Sequence, residues 1–213
     1  MSKKVFLGAI GVVATGISFA GNAEAAVIEF DTNGFNTFIT EEFYGVEFVE
    51  GPNKYISSIS FDLSGTGTFF DFNDPVSGSF QGEDEPVLDS LVGLTAADIT
   101  FNFLNPVGGD PLHPEILEFV FAPGSFEAGD SFRFGADTDG LIINGGAFGA
   151  NAIPVSVVLS DGKTGSAAFT QLNPTQSVAI VDIPHESVPE PLGILGMLTA
   201  LGTGASMKRK AYA

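Results

Sequence analysis

Asp137-Thr138-Asp139-Gly140, with Asp130 a short step before it, is the stretch whose residue types and spacing come nearest to chemistry. Carboxylates at alternate loop positions can converge on Ca²⁺, which takes roughly six to eight oxygens at about 2.3–2.6 Å, while glycine permits the sharp turn. An EF-hand loop would add a third acidic step and a distant Glu, and neither follows Asp139. The plainer expectation is a polar turn whose Asp side chains accept bonds from local backbone amides. Calcium held by Asp137 and Asp139 is the alternative, and no other cofactor is expected. Asp71 to Asp74, in Phe-Asp-Phe-Asn-Asp-Pro, offers no better set.

Other chemistries find less support. His113 sits in a Pro-flanked loop and His185 far downstream, so a His-based metal site or triad is not expected and both read as solvated loop residues. The chain has no Cys, which removes disulfides, thiolate nucleophiles and thiolate metal ligands together. No nucleophile elbow, phosphate-binding loop, dinucleotide fingerprint or zinc-protease motif occurs. Two carboxyl groups could in principle serve glycoside hydrolysis, but so acidic a chain offers such pairs everywhere. The expectation is a protein that is not an enzyme.

What must position these residues is a β-rich body. Ile59, Phe61 and Leu63 alternate with Ser58, Ser60 and Asp62; Ile99, Phe101 and Phe103 alternate with Thr100 and Asn102. Leu117, Phe119 and Phe121 repeat the pattern, as do Phe132 with Phe134, and Val155, Val157 and Leu159. A period of two turns one face inward, and the count favours two stacked sheets. Asp161-Gly162 supplies the positive φ of a tight hairpin between Val155–Ser160 and Lys163–Phe169. Asn33-Gly34, Asp139-Gly140 and Asn144-Gly145-Gly146 mark further turns, Gln81 to Pro86 a solvated loop, and Leu88 to Ala97 the one short helix. The fold class expected is all-β, an antiparallel, jelly-roll-like β-sandwich with a C-terminal apolar helix.

Charge limits the partners. The 213 residues carry a formal net charge of −18. Between Ala26 and Ser187, 24 acidic residues face only Lys54, Arg133 and Lys163, a net −21. Nucleic acid and anionic membrane surfaces are repelled by such a body, whereas cations and neutral glycans are not. Exposed aromatic planes suit sugars, yet the body has no Trp and only Tyr44 and Tyr55 beside its Phe residues. Phe at alternating positions reads as core.

The ends read differently. Lys3 and Lys4 precede an apolar stretch from Val5 to Ala20 and the small-x-small string Ala23-Glu24-Ala25, the pattern of a signal peptide cut after Ala25. Pro191 to Ser206 is apolar or small throughout, and Lys208-Arg209-Lys210 follows. At about 1.5 Å per residue this segment spans roughly 24 Å, short of a hydrocarbon core of about 30 Å. The basic cluster would stay cytoplasmic and leave the body on the far side. The chain thus divides into a signal peptide (1–25), an ectodomain (26–183), a linker (184–191), a transmembrane segment (192–207) and a basic tail (208–213).

Val188-Pro189-Glu190-Pro191, placed directly before that apolar run and basic cluster, resembles the PEP-CTERM sorting signal of Gram-negative bacteria. Leu117 to Phe169 also loosely resembles ectodomains attached to such tails. The resemblance implies an exosortase-type processing enzyme as partner. It also implies anchoring in the inner membrane before processing, and a destination at the cell surface or in exopolysaccharide matrix. A structural or interaction role follows, with a carbohydrate-binding module, calcium-assisted or not, as the alternative.

Overall fold

The computed structural model describes residues 25–34, 42–51, 53–72, 85–140 and 152–184. Among them the alternating runs form strands: β1 (Ala26–Asn33), β2 (Tyr44–Glu50), β3 (Ile56–Asp62), β4 (Thr68–Phe70), β5 (Val87–Val92), β6 (Ile99–Pro106) and β7 (Pro114–Phe121). After them come β8 (Ser131–Gly135), β9 (Thr138–Gly140), β10 (Pro154–Leu159), β11 (Thr164–Ala168), β12 (Thr170–Asn173) and β13 (Gln176–Ile183). All pairings are antiparallel. One sheet runs β12-β13-β1-β2-β8-β5, a second runs β11-β10-β3-β7-β6, and β4 with β9 makes a two-stranded ribbon. The expected all-β sandwich is the fold observed.

Phenylalanine joins the two large sheets. Phe30, Phe48, Phe132 and Phe134 point inward from the six-stranded sheet and Phe61 and Phe119 from the five-stranded one, each at most 1% exposed. Across the interface, ring centroids of Phe119 and Phe134 lie 4.6 Å apart, Phe61 and Phe134 5.1 Å, and Tyr44 and Phe61 5.5 Å. Edge-to-face and offset contacts of this kind add to the burial of a large apolar area, so a disulfide-free body holds together on its core.

The Asp161-Gly162 hairpin forms as expected: Ser156 faces Ser166 across β10 and β11, and Gly162 takes φ 82°. Two other local expectations fail. Val87–Val92 is a strand, and the only helical turn in Leu88 to Ala97 is the start of a 3₁₀ turn at Ala96–Asp98. The register against β8 shifts between Asp89 and Val92, so Ser90 and Leu91 together oppose Phe132. That bulge puts Leu88 and Leu91, three positions apart, on the same core-facing side. Spacing of three therefore imitates a helix here. Asp139-Gly140 is likewise not a free turn but part of β9, paired with Phe69 and Thr68.

The stretches read as a signal peptide (up to Glu24), as linker and sorting motif (from His185), as apolar segment and as basic tail lie outside the described residues, as do Asn144-Gly145-Gly146 and Gln81–Asp84. Among the described residues no helix is long and apolar enough to cross a membrane.

Candidate functional site

Two places gather polar chemistry. The first surrounds the β4–β9 ribbon. Asp137 is buried, its Oδ1 accepting from Thr138 N (2.7 Å) and its carbonyl from Asp71 N (3.0 Å). Asp139 is exposed two residues further on, within β9 and opposite Phe69. The two residues expected to share a cation thus differ sharply in environment. Among the described residues no group of three or more acidic or His side chains is arranged to hold a metal ion.

His113 corrects the expectation of a solvated loop residue. Phe72 N donates to Leu112 O (3.0 Å) and Leu112 N to Asp110 Oδ1 (3.0 Å), which presses the loop against β4. The imidazole then lies on the Phe69 ring (centroids 4.9 Å apart) with Nε2 3.3 Å from Asp71 Oδ1 and Nδ1 3.7 Å from Asp110 Oδ2. The two ring nitrogens face carboxylates on opposite sides, so the three groups do not converge on one point. Nearby, Tyr44 is fully buried; desolvation pushes its phenol far above the ordinary value, and the charge of Asp137 adds to the shift. His185 lies outside the described residues.

The second place is the outer face of the six-stranded sheet. Arg133 projects from β8 toward solvent, and its neighbour on β2 is Gly45, whose missing side chain leaves a channel. Through it the guanidinium reaches β1: Nη2 donates to both carboxylate oxygens of Asp31 at 2.6 Å, while Nη1 donates to Glu42 O at 2.9 Å. A Cβ on Gly45 would stand 2.6 Å from Asp31 Oδ1 and 2.9 Å from Arg133 Cζ. Ser90 Oγ on β5 donates to Glu42 Oε1, which ties the bulged edge strand to the same assembly.

Shallow grooves of about 240 and 260 Å³ share Asp31, Arg133 and Val178 in their walls. The larger network of carboxylates lines the first groove, where Glu29 and Glu47 sit directly opposite each other on β1 and β2. With hydroxyls of Ser90 and Ser131 beside them, these groups can accept and donate hydrogen bonds to a hydroxyl-rich molecule. Glu29, Asp31 and Glu47 are all open to water. Tyr44 supplies no aromatic platform, being 1% exposed.

Sequence reading missed this face. Two signals pointed to it: a glycine inside an alternating run, which marks close approach in a strand, and Arg133, one of three basic residues in a strongly acidic body. Of the residues the ends supply, Ala25 directly precedes β1; Ala23, Val188, Pro189, Glu190, Pro191, Lys208, Arg209 and Lys210 lie outside the described residues. Comparison with family models, with curated proteins and with solved structures gives no match.

Proposed function

We propose that this chain is an exported, non-enzymatic protein of the cell surface or extracellular matrix, sorted through a PEP-CTERM-like tail and displaying its β-sandwich as a structural or interaction module. What supports this reading is how the sandwich sits between the two processing signals. The small-x-small string ends at Ala25 and β1 begins at Ala26; β13 ends at Ile183 and Val188-Pro189-Glu190-Pro191 follows within a few residues. Cuts at both places would leave every described strand intact. An exosortase-type enzyme is the partner this requires.

Intact mass of the protein recovered from cells and from matrix tests the reading, beside a Pro189→Ala, Glu190→Ala, Pro191→Ala variant. The expected product starts near Ala26 and ends near the Pro-Glu-Pro site, and the variant keeps its tail. A mass extending to Ala213 in both proteins would overturn it.

The groove beside Arg133 favours a second reading, a carbohydrate-binding module acting on exopolysaccharide. Retention on that polysaccharide, lost on Arg133→Ala, is its expected signature; calcium assistance through Asp137 and Asp139 adds a calcium-dependent rise in melting temperature. A body that neither is retained nor responds to calcium leaves the first reading alone.

A further inference from the structure

Sheet edges decide what a β-sandwich can join, because their outer backbone groups are unpaired. Among the described strands, three of the four edges of the two large sheets are blunted. β5 carries the bulge at Ser90 and Leu91, and β12 is four residues long with its own register shift between Gln171 and Asn173. β11 lies against the other sheet, so closely that a Cβ on Gly165 would meet Val181 and Ile183 at 2.6 Å. The fourth edge, β6, is eight residues long, keeps one register from Ile99 to Leu104, and pairs only with β7 among the described strands.

The phase of its ladder follows from two bonds. Ala122 N donates to Asp98 O (2.8 Å) on the β6 side of β7, and Leu63 N donates to Glu115 O (2.8 Å) on the β3 side. Alternation along an antiparallel pair then directs the N–H and C=O of Thr100, Asn102 and Leu104 at β7. Those of Phe101 and Phe103 point away from the sheet.

Charge identifies the occupant. Ile99-Thr-Phe-Asn-Phe-Leu-Asn-Pro106 contains no charged residue in a body of net −21. Most surfaces of so acidic a protein repel their own kind, but this edge brings no charged side chain of its own. Its neighbours on β7 are restrained: Asn102 Nδ2 donates to Glu118 Oε2 at 2.8 Å, and Asn105 Nδ2 donates to Glu115. Leu104, 44% exposed, stands on the same face with nothing apolar required of it by a free monomer.

We infer that β6 is a self-association edge, pairing antiparallel with β6 of a second copy about a two-fold axis at Asn102. In that register Phe101 opposes Phe103 of the second copy, and both offer outward backbone groups, as a hydrogen-bonded pair requires. Thr100 opposes Leu104 of the second copy, and the two five-stranded sheets become continuous. The interface is isologous. It goes beyond the sorting reading and does not depend on it.

The absence of cysteine makes the test specific. Asn102 opposes its own copy at a non-hydrogen-bonded position, where Cα atoms are about 4.5 Å apart, within the span of about 4.4–6.8 Å that a disulfide bridges. In the full chain, Asn102→Cys is expected to cross-link under mild oxidation far faster than Leu172→Cys on exposed β12. Sedimentation of the Cys-free chain should show a dimer. Thr100→Lys with Leu104→Lys sets like charges opposite each other twice and should weaken it about tenfold or more, whereas Thr100→Lys with Leu104→Glu should keep it. Circular dichroism melts of both double variants, altered only at exposed side chains, report that the fold is intact. Cross-linking at Asn102 no faster than at Leu172, or equal dimer loss in the two double variants, would overturn the proposal.

Discussion

Arg133 reaches Asp31 across the backbone of an intervening strand, and the space it crosses exists because Gly45 has no side chain. Three strands are thereby held by one guanidinium on the solvent face, independently of the phenylalanine core beneath.

A mutant cycle measures that bridge. Asp31 is half exposed, so solvent limits the pair to about 0.2–1 kcal/mol, and Asp31→Asn should cost no more. Gly45→Ala should cost a similar amount by displacing the guanidinium. Because both changes remove the same contact, the double variant should be no less stable than Gly45→Ala alone, a departure from additivity read from urea midpoints.

Phe61 is the ring that both sheets use. It contacts Phe30, Tyr44 and Phe134 from across the sandwich, Phe119 beside it, and Phe169 in the link between β11 and β12. Phe61→Ala should cost about 3–5 kcal/mol, a large share of the roughly 5–15 kcal/mol that holds a domain together. Urea unfolding with an unchanged slope is the check, since a changed slope would mean the denatured state had altered as well.

Tyr44 predicts an alkaline limit. Its phenol holds its proton in the folded state well above the ordinary value of 10.0, chiefly through burial. The unfolded chain gives up that proton near pH 10 and the folded one does not, so the contribution is whole below that pH and falls above it. The loss from this group is about 1.4 kcal/mol for each further pH unit. Tyr44→Phe should flatten the fall in urea midpoint between pH 9 and 11.

Strands were legible in the sequence where one face alternates cleanly, as in Ile59, Phe61 and Leu63 or Leu117, Phe119 and Phe121, because burial on one side enforces a period of two. β5 was not, since its bulge adds a residue and spaces the core-facing Leu88 and Leu91 like a helix. Asp139-Gly140 carries turn chemistry, yet pairing with Thr68 and Phe69 places it in a ribbon. His113 was beyond local reading altogether: its partner Asp71 is distant in sequence and arrives through the Phe72 to Leu112 backbone bond. The Arg133 clamp needs three strands from separate stretches, so only two of its marks, a glycine and a rare cation, showed beforehand.

The first strand of the sandwich pairs with the last, Ala26 facing Ile183. Closing that ladder needs the greatest separation in the described chain, and such non-local pairings are slow to form. A chain crossing a membrane from its N-terminus must therefore wait, with β1 open along the side that β13 will occupy, until Gln176 onward has emerged. If the chain is exported as proposed, folding on the far side is gated by completion of transport, and a product truncated before β13 leaves β1 as a bare strand exposed to aggregation.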